Sequence, residues 1–340
     1  MTRRQPLTAF NKSFGALMPF SAIIGHTQQL ELLRNCIASR RVAHAYLFAG
    51  PEGVGKRRIA LAFAGGLLCE TGTGCGTCGA CVKVAAATHP DLLLVNADGA
   101  TIKIEQVRSL QQQLVLRSFS GTYKICIIDK AERLTPEAAN ALLKTLEEPQ
   151  PGTLLILVSS QPERLLPTIR SRCQQLPFAR LPRTTLSAHL STTLQLDPAA
   201  ATVLAALSDG SLSRALGEKQ ELYLKKRPQW IQSLSALSAA STLQTFAFAE
   251  QLRAEKDTLD DLLDIFSLFY RDLLLYQTGA ASADLVNQDL LPLIKEQSAR
   301  LTRARLLKKI DAVTTARGHL ARNVNSHLAM DFMLMQITHA

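Results

Sequence analysis

The 340-residue chain is predicted to open with an α/β domain on a parallel sheet and to continue as helices to its end. Three observations lead there. Between residues 20 and 178 short, nearly continuous apolar runs alternate with helical stretches. A glycine-rich turn joins the first of those runs to the helix that follows it. After Pro182 the β signals fade. Apolar runs separated by helices belong to a sheet covered on both faces, whereas a sheet with one wet face would alternate.

In chain order, residues 1–19 show no clean period and carry Arg3, Arg4, Lys12 and Pro19, which predicts a mobile lead-in. Strands are predicted at 45–49, 91–95, 124–128 and 154–158, with a weaker one at 174–176. Helices are predicted at 28–39, 56–69, 104–116 and 136–147. The last is well marked, with Thr135 as N-cap, Pro136 at the first helical position and Pro149 after the stop. Residues 183–216 read as a short helical bundle, and the charged stretch 217–228 as a linker. From Trp230 onward the pattern is helical, with breaks near 238–241 and 278–283. The predicted domains are therefore 20–180, 181–220 and 221–340.

Composition sets limits. With 47% hydrophobic residues the chain has enough apolar material for sizeable cores, so a largely disordered protein is excluded. Its apolar runs are far shorter than the roughly 18 residues of a membrane span. No basic–apolar–small leader pattern opens the chain, so a cytoplasmic, reducing location and no membrane are expected. The net charge of +10 is unevenly spread. Residues 1–60 carry nine Lys/Arg against two Asp/Glu, residues 295–322 eight against two, and the rest of the chain is slightly acidic. Two basic patches of this kind suit either solvated faces or an anionic partner such as nucleic acid.

Gly50-Pro51-Glu52-Gly53-Val54-Gly55-Lys56-Arg57 lies between an apolar strand and a helix, the setting that gives a GxxxxGK pattern its meaning. Gly50, Gly53 and Gly55 let backbone N–H groups turn toward a phosphate, the helix start adds positive potential, and Lys56 reaches the terminal phosphates. The next residue should be Ser or Thr, whose hydroxyl holds Mg²⁺. It is Arg57, and a guanidinium repels a cation. The run Ile125-Cys126-Ile127-Ile128-Asp129 ends in the carboxylate that would support the metal, but Lys130 stands where an acidic residue would polarise the attacking water. Glu132 comes two residues later. The expectation is a site that can bind a nucleotide such as ATP and hydrolyses it poorly or not at all.

The seven cysteines include Cys69, Cys75, Cys78 and Cys81, in a stretch rich in glycine and threonine with no core of its own. Four thiolates at this spacing can close around a structural Zn²⁺, with His89 as a stand-in for one of them. Cys36, Cys126 and Cys173 sit in apolar patterns and read as core thiols.

These pieces together resemble the AAA+ clamp-loader ATPases of DNA replication, and more closely the delta-prime type of subunit of bacterial DNA polymerase III. The resemblance is carried by Phe20 with Ile23-Ile24-Gly25-His26, by His44-Ala45-Tyr46-Leu47-Phe48, and by the cysteine module set directly after the first loop's helix. It continues through the run from Ala138 to Pro149 and through Leu166-Pro167-Thr168-Ile169-Arg170-Ser171-Arg172-Cys173. It is firm over residues 20–216 and weak beyond.

The resemblance implies an AAA+ domain with a zinc module, a helical lid and a helical collar. It implies gamma/tau motor subunits and a delta subunit as partners, with the sliding clamp and primer–template DNA reached through the complex. It also implies that Arg172 enters a neighbour's ATP site as an arginine finger. Ser159 or Ser160 takes the place of a phosphate-sensing residue, and Arg214 that of a nucleotide-sensing arginine, one position later than in motor subunits. Arg57 and Lys130 separate the chain from the ATP-hydrolysing motor subunits. The same residues count against a helicase or branch-migration motor. A zinc-stabilised DNA reader would need a basic recognition helix that the cysteine loop lacks.

Overall fold

A computed structural model describes residues 20, 23–119, 123–217, 220, 222–237, 242–253, 258–322 and 324–339. The expected lead-in at 1–19 and break at 238–241 lie outside these residues. By contacts the chain divides into two compact units, 1–185 with 210–213, and 186–209 with 214–340.

The first unit holds five parallel strands: β1 (Ala45–Ala49), β2 (Leu92–Val95), β3 (Lys124–Asp129), β4 (Thr153–Ser159) and β5 (Gln174–Pro177). Their order is β2-β3-β4-β1-β5. β1 lies between β4 and β5, with Ala45 opposite Leu155 and Tyr46 opposite Gln174. The helices are α1 (Thr27–Ser39), α2 (Lys56–Leu68), α3 (Gly79–Ala85), α4 (Ile104–Val115), α5 (Pro136–Glu147) and the single turn α6 (Pro167–Arg170). Each predicted strand and helix is present within two residues of its expected bounds. The short α3 was not expected.

Successive strand residues feed opposite cores, as the pleat dictates. Tyr46, Phe48, Ile125, Ile127, Leu154 and Ile156 pack with α1, α2 and α3. Ala45, Leu47, Cys126, Ile128, Leu155 and Leu157 pack with α4, α5 and α6. Both faces are dry, which is why the runs are continuous rather than alternating. Thr135 caps α5 by accepting the Ala138 N–H at 3.3 Å.

The second unit is helical. It comprises most of α7 (Arg183–Leu194), α8 (Pro198–Leu207), α10 (Arg227–Ala236), α11 (Thr242–Arg253), α12 (Leu259–Gln277), α13 (Leu291–Arg300), α14 (Arg303–Ala321) and α15 (Ser326–His339). The short α9 (Leu212–Ala215) falls where the chain passes from one unit to the other. α12 supplies the centre of this unit, burying Leu262, Leu263, Phe266, Phe269 and Leu273, and packs on α13 and α14.

The stretch 217–228 is not a linker where it is described. Leu222–Lys226 forms a wide helical turn that runs into α10 and buries Leu222 and Tyr223. Arg227 is buried as well, donating to the Tyr223 carbonyl at 3.0 Å and to Asn287 and Asp289. Partners about sixty residues away make a charged residue a core residue.

Candidate nucleotide site, cysteine cluster and exposed arginine

The glycine-rich loop leaves β1 at Ala49, and its first N–H, on Gly50, donates to the Ser159 carbonyl at 3.2 Å. Two glycines are required by the packing. Gly50 has φ 147°, and a Cβ there would lie 2.0 Å from the Phe178 carbonyl oxygen. Gly53 has φ 80°, and its Cβ would lie 2.0 Å from Ser211 Oγ. No L side chain fits either place. Gly55 precedes α2, whose first residue is Lys56. Lys56 is 6% exposed and its Nζ donates to the Gly50 and Pro51 carbonyls at 2.5 and 2.6 Å. Burial lowers the Lys56 pKa, against the pull of Glu132, Asp129 and Glu52.

Arg57 Nη1 lies 3.0 Å from Asp129 Oδ2. The other oxygen of Asp129 accepts the Lys130 N–H at 3.1 Å. Lys130 itself pairs with Glu52 at 2.8 Å. The two sequence departures are thus built into the geometry: one cation sits on the strand-end carboxylate and the other bridges back to the loop. These residues do not fit a divalent cation, because the carboxylate that would support it is already bound to a guanidinium.

Ser159 and Ser160, both singled out in the sequence, bind Glu132. Their hydroxyls donate to its carboxylate at 2.7 and 2.6 Å. Sequence reading missed this cluster, though Glu132 was visible two positions beyond Lys130. His26, which the sequence marked only as part of the Ile23–His26 stretch and gave no role, donates from Nε2 to the Val54 carbonyl at 3.0 Å and meets Phe178 edge-on. Burial, foremost, lowers the His26 pKa, with the nearby Lys56 charge acting the same way.

Arg214 is placed elsewhere. Its guanidinium donates to Asp261 at 2.9 Å, Asp264 at 3.0 Å and Tyr223 at 3.2 Å, all within the helical unit. Arg317 joins Asp264 at 2.7 Å. Arg172 follows α6. It is more than a third exposed, donates to the Thr168 carbonyl at 3.0 Å and pairs with Glu147 at 2.7 Å.

The four cysteines converge. Their sulfurs all lie within 4.8 Å of one another, and three pairs are 3.7, 3.9 and 4.0 Å apart. Four sulfurs at about 2.3 Å from a tetrahedral zinc would be about 3.8 Å apart. The N–H groups of Cys75, Cys78 and Cys81 point at the sulfurs of Cys69, Cys75 and Cys78 at 3.3–3.5 Å. The donor set therefore fits a metal ion. His89 is not part of it: its Nδ1 accepts the Asp91 N–H at 3.1 Å. Of the other thiols, Cys126 and Cys173 are buried and Cys36 is half-buried.

A family model described as "DNA polymerase III, delta subunit" matches residues 25–182, and one described as "DNA polymerase III, delta subunit, C terminal" matches 221–339. DNA polymerase III subunit delta' of Bacillus subtilis is 33% identical over 91% of this chain and 94% of its own. The chain belongs to the DNA polymerase III delta-prime family. A Pseudomonas aeruginosa relative of the same name is 47% identical over 39% of this chain and 42% of its own. The B. subtilis tau subunit is 28% identical over 76% of this chain and half of its own length. Among solved structures, a Thermotoga maritima RuvB branch migration motor aligns over 94% of this chain and 89% of its own. Its TM-score of 0.46 and 14% identity make it too distant to inform function. The expected α/β unit on a parallel sheet and the expected helical C-terminal region are both present, and no described helix is long and apolar enough to cross a membrane.

Proposed function

We propose that this chain is a non-motor, delta-prime subunit of a cytoplasmic DNA polymerase III clamp loader. Its partners are gamma/tau motor subunits and a delta subunit. The assembly opens the sliding clamp and places it on primer–template DNA. Residues 20–180 form its AAA+ domain, 181–220 its lid and 221–340 the collar through which the subunits assemble. A structural zinc ion on Cys69, Cys75, Cys78 and Cys81 orders the loop between α2 and β2. ATP at the chain's own loop, met by Gly50, Gly53, Gly55 and Lys56, is held and not hydrolysed. Ser159 acts as a phosphate-sensing position at this degenerate site.

The observation that carries this reading is the Arg57–Asp129 ion pair, which takes up the carboxylate that an ATPase needs for its metal. It also weighs against the alternative of a gamma/tau-type motor. The chain's contribution to hydrolysis is then made in trans. Arg172, half-exposed beside Glu147, neutralises charge building on the γ-phosphate in the neighbour's site, an effect worth about 10³–10⁵ in rate in other phosphoryl-transfer systems.

Reconstitution tests it. Arg172→Ala in a loader assembled from motor and delta subunits should leave assembly intact and slow DNA-stimulated ATP turnover at the adjoining site by at least about a hundredfold. Turnover unchanged in the assembled loader removes the finger assignment. The chain alone should show negligible ATPase activity with Mg²⁺.

A further inference from the structure

We propose that the phosphate loop takes a nucleoside triphosphate without a divalent cation, Arg57 standing in the metal's place. The inference rests on reading this loop as a nucleotide site. A metal at such a loop has two protein supports, the side chain after the loop lysine and the carboxylate at the end of the neighbouring strand. Here these two positions bind each other, Arg57 Nη1 to Asp129 Oδ2 at 3.0 Å. The second carboxylate oxygen accepts the Lys130 N–H. A dication entering between them would have to break the ion pair and would then face the displaced guanidinium. Both side chains are about four-fifths covered, so water screens that repulsion poorly.

The positive charge the phosphates require is nevertheless present. Lys56 is buried beneath the loop with its ammonium on loop carbonyls, groups a phosphate oxygen can replace as its partner. Arg57 comes next on the first turn of α2. A guanidinium is planar, permanently charged and suited to phosphate, and it can bridge two anions at once. In this same protein Arg214 does so between Asp261 and Asp264. Arg57 can therefore keep Asp129 and still meet a phosphate. Lys130 is paired with Glu52 of the loop, so the flank that would carry the water-polarising acid is neutral rather than anionic. The result is a triphosphate cradle in which fixed protein cations face the phosphates where a metal would, and such a cradle binds the metal-free nucleotide.

The test uses the full-length chain and a ribose-labelled fluorescent ATP, titrated once with excess Mg²⁺ and once with excess EDTA. Dissociation constants within about twofold of each other are expected. Lys56→Ala should abolish binding in both buffers. Arg57→Thr, which restores the metal-binding hydroxyl and releases Asp129, should weaken binding in EDTA by about tenfold or more and make it respond to Mg²⁺. Binding that requires Mg²⁺ in the unmodified chain overturns the inference and leaves the nucleotide site standing. No binding in either buffer overturns the site itself. Since the comparison in the unmodified chain decides the matter, poor folding of Arg57→Thr, checked by circular dichroism, does not rescue the proposal.

Discussion

Burial alone would raise the pKa of Glu132, but the Ser160 and Ser159 hydroxyls donate to its carboxylate and hold it below the ordinary 4.5. A carboxyl lowered on folding stabilises the folded state above its unfolded value. That contribution is lost as pH falls through the lower, folded value. Replacing both Ser159 and Ser160 by Ala should cost about 1–2 kcal/mol at pH 7. The loss should shrink in acid, where the carboxyl is protonated and its need for donors weakens. Urea titrations at neutral and acidic pH check this, and an equal loss at both would show that the hydroxyls act only through packing. At this scale the sequence is informative about identity and silent about pairing. Arg57, Lys130 and Asp129 are each visible as departures or matches, but the Arg57–Asp129 bond spans 72 positions. Arg214 shows the same gap, since Asp261 and Asp264 lie 47 and 50 residues away and no local motif reveals them.

At the scale of elements, β1, β3 and β4 were legible because each is buried on both sides and so leaves a continuous apolar run, whereas β5, with Gln174, Gln175 and Pro177 exposed, left only a weak signal. Ile156, fully buried in the centre of β4, should cost about 2–5 kcal/mol of α/β-unit stability when cut to Ala, measured by denaturant unfolding. Helix α3 was not legible, and its length explains why. Seven residues are too few for a helix to persist by propensity. Its start is capped by the Cys78 sulfur and its first turn is pinned by buried Cys81, so the cysteine pattern hides the helix it organises. If a metal holds these sulfurs, a strong chelator should deprotect the amides of Gly79–Ala85 while leaving β1, β3 and β4 protected. Hydrogen exchange reads this directly. Unchanged exchange in α3 after verified metal removal would mean that packing against α2 suffices.

For the molecule as a whole, two units imply two stabilities. Arg227 belongs to the helical one, where it joins Tyr223, Asn287 and Asp289, while Asp272 accepts both N–H groups of Val286 and Asn287. Arg227→Ala leaves the buried Tyr223 carbonyl and Asn287 amide oxygen without their donor and should cost about 1–3 kcal/mol. The loss should fall on the helical unit, with exchange in α12 rising sharply and exchange in β3 and β4 unchanged. A uniform loss across both units would show that they unfold as one. The misreading of 217–228 as a linker has its origin here, because a local window counts Lys225, Lys226 and Arg227 as surface charge. Counting basic residues misleads in the same direction, because several of them are paired internally, on Asp129, Glu52, Asp261, Asp264 and Asp289.

The sheet has a further property that follows from its two dry faces. In most sheets a one-residue slip is forbidden because it would drive polar side chains inward. Along β1, and through most of β3 and β4, both alternating sets are apolar, so polarity cannot distinguish the correct alignment from the shifted one. Size can. On β1, Tyr46 and Phe48 lie on one face, where Tyr46 meets Phe63 edge-on and Phe48 meets Phe178 at a tilt, while Ala45 and Leu47 lie on the other. A slip would push two rings into space shaped for smaller side chains and leave holes where the rings had been. Strand alignment in this protein is therefore written in volume, and its weak points are the positions where large and small residues could trade places.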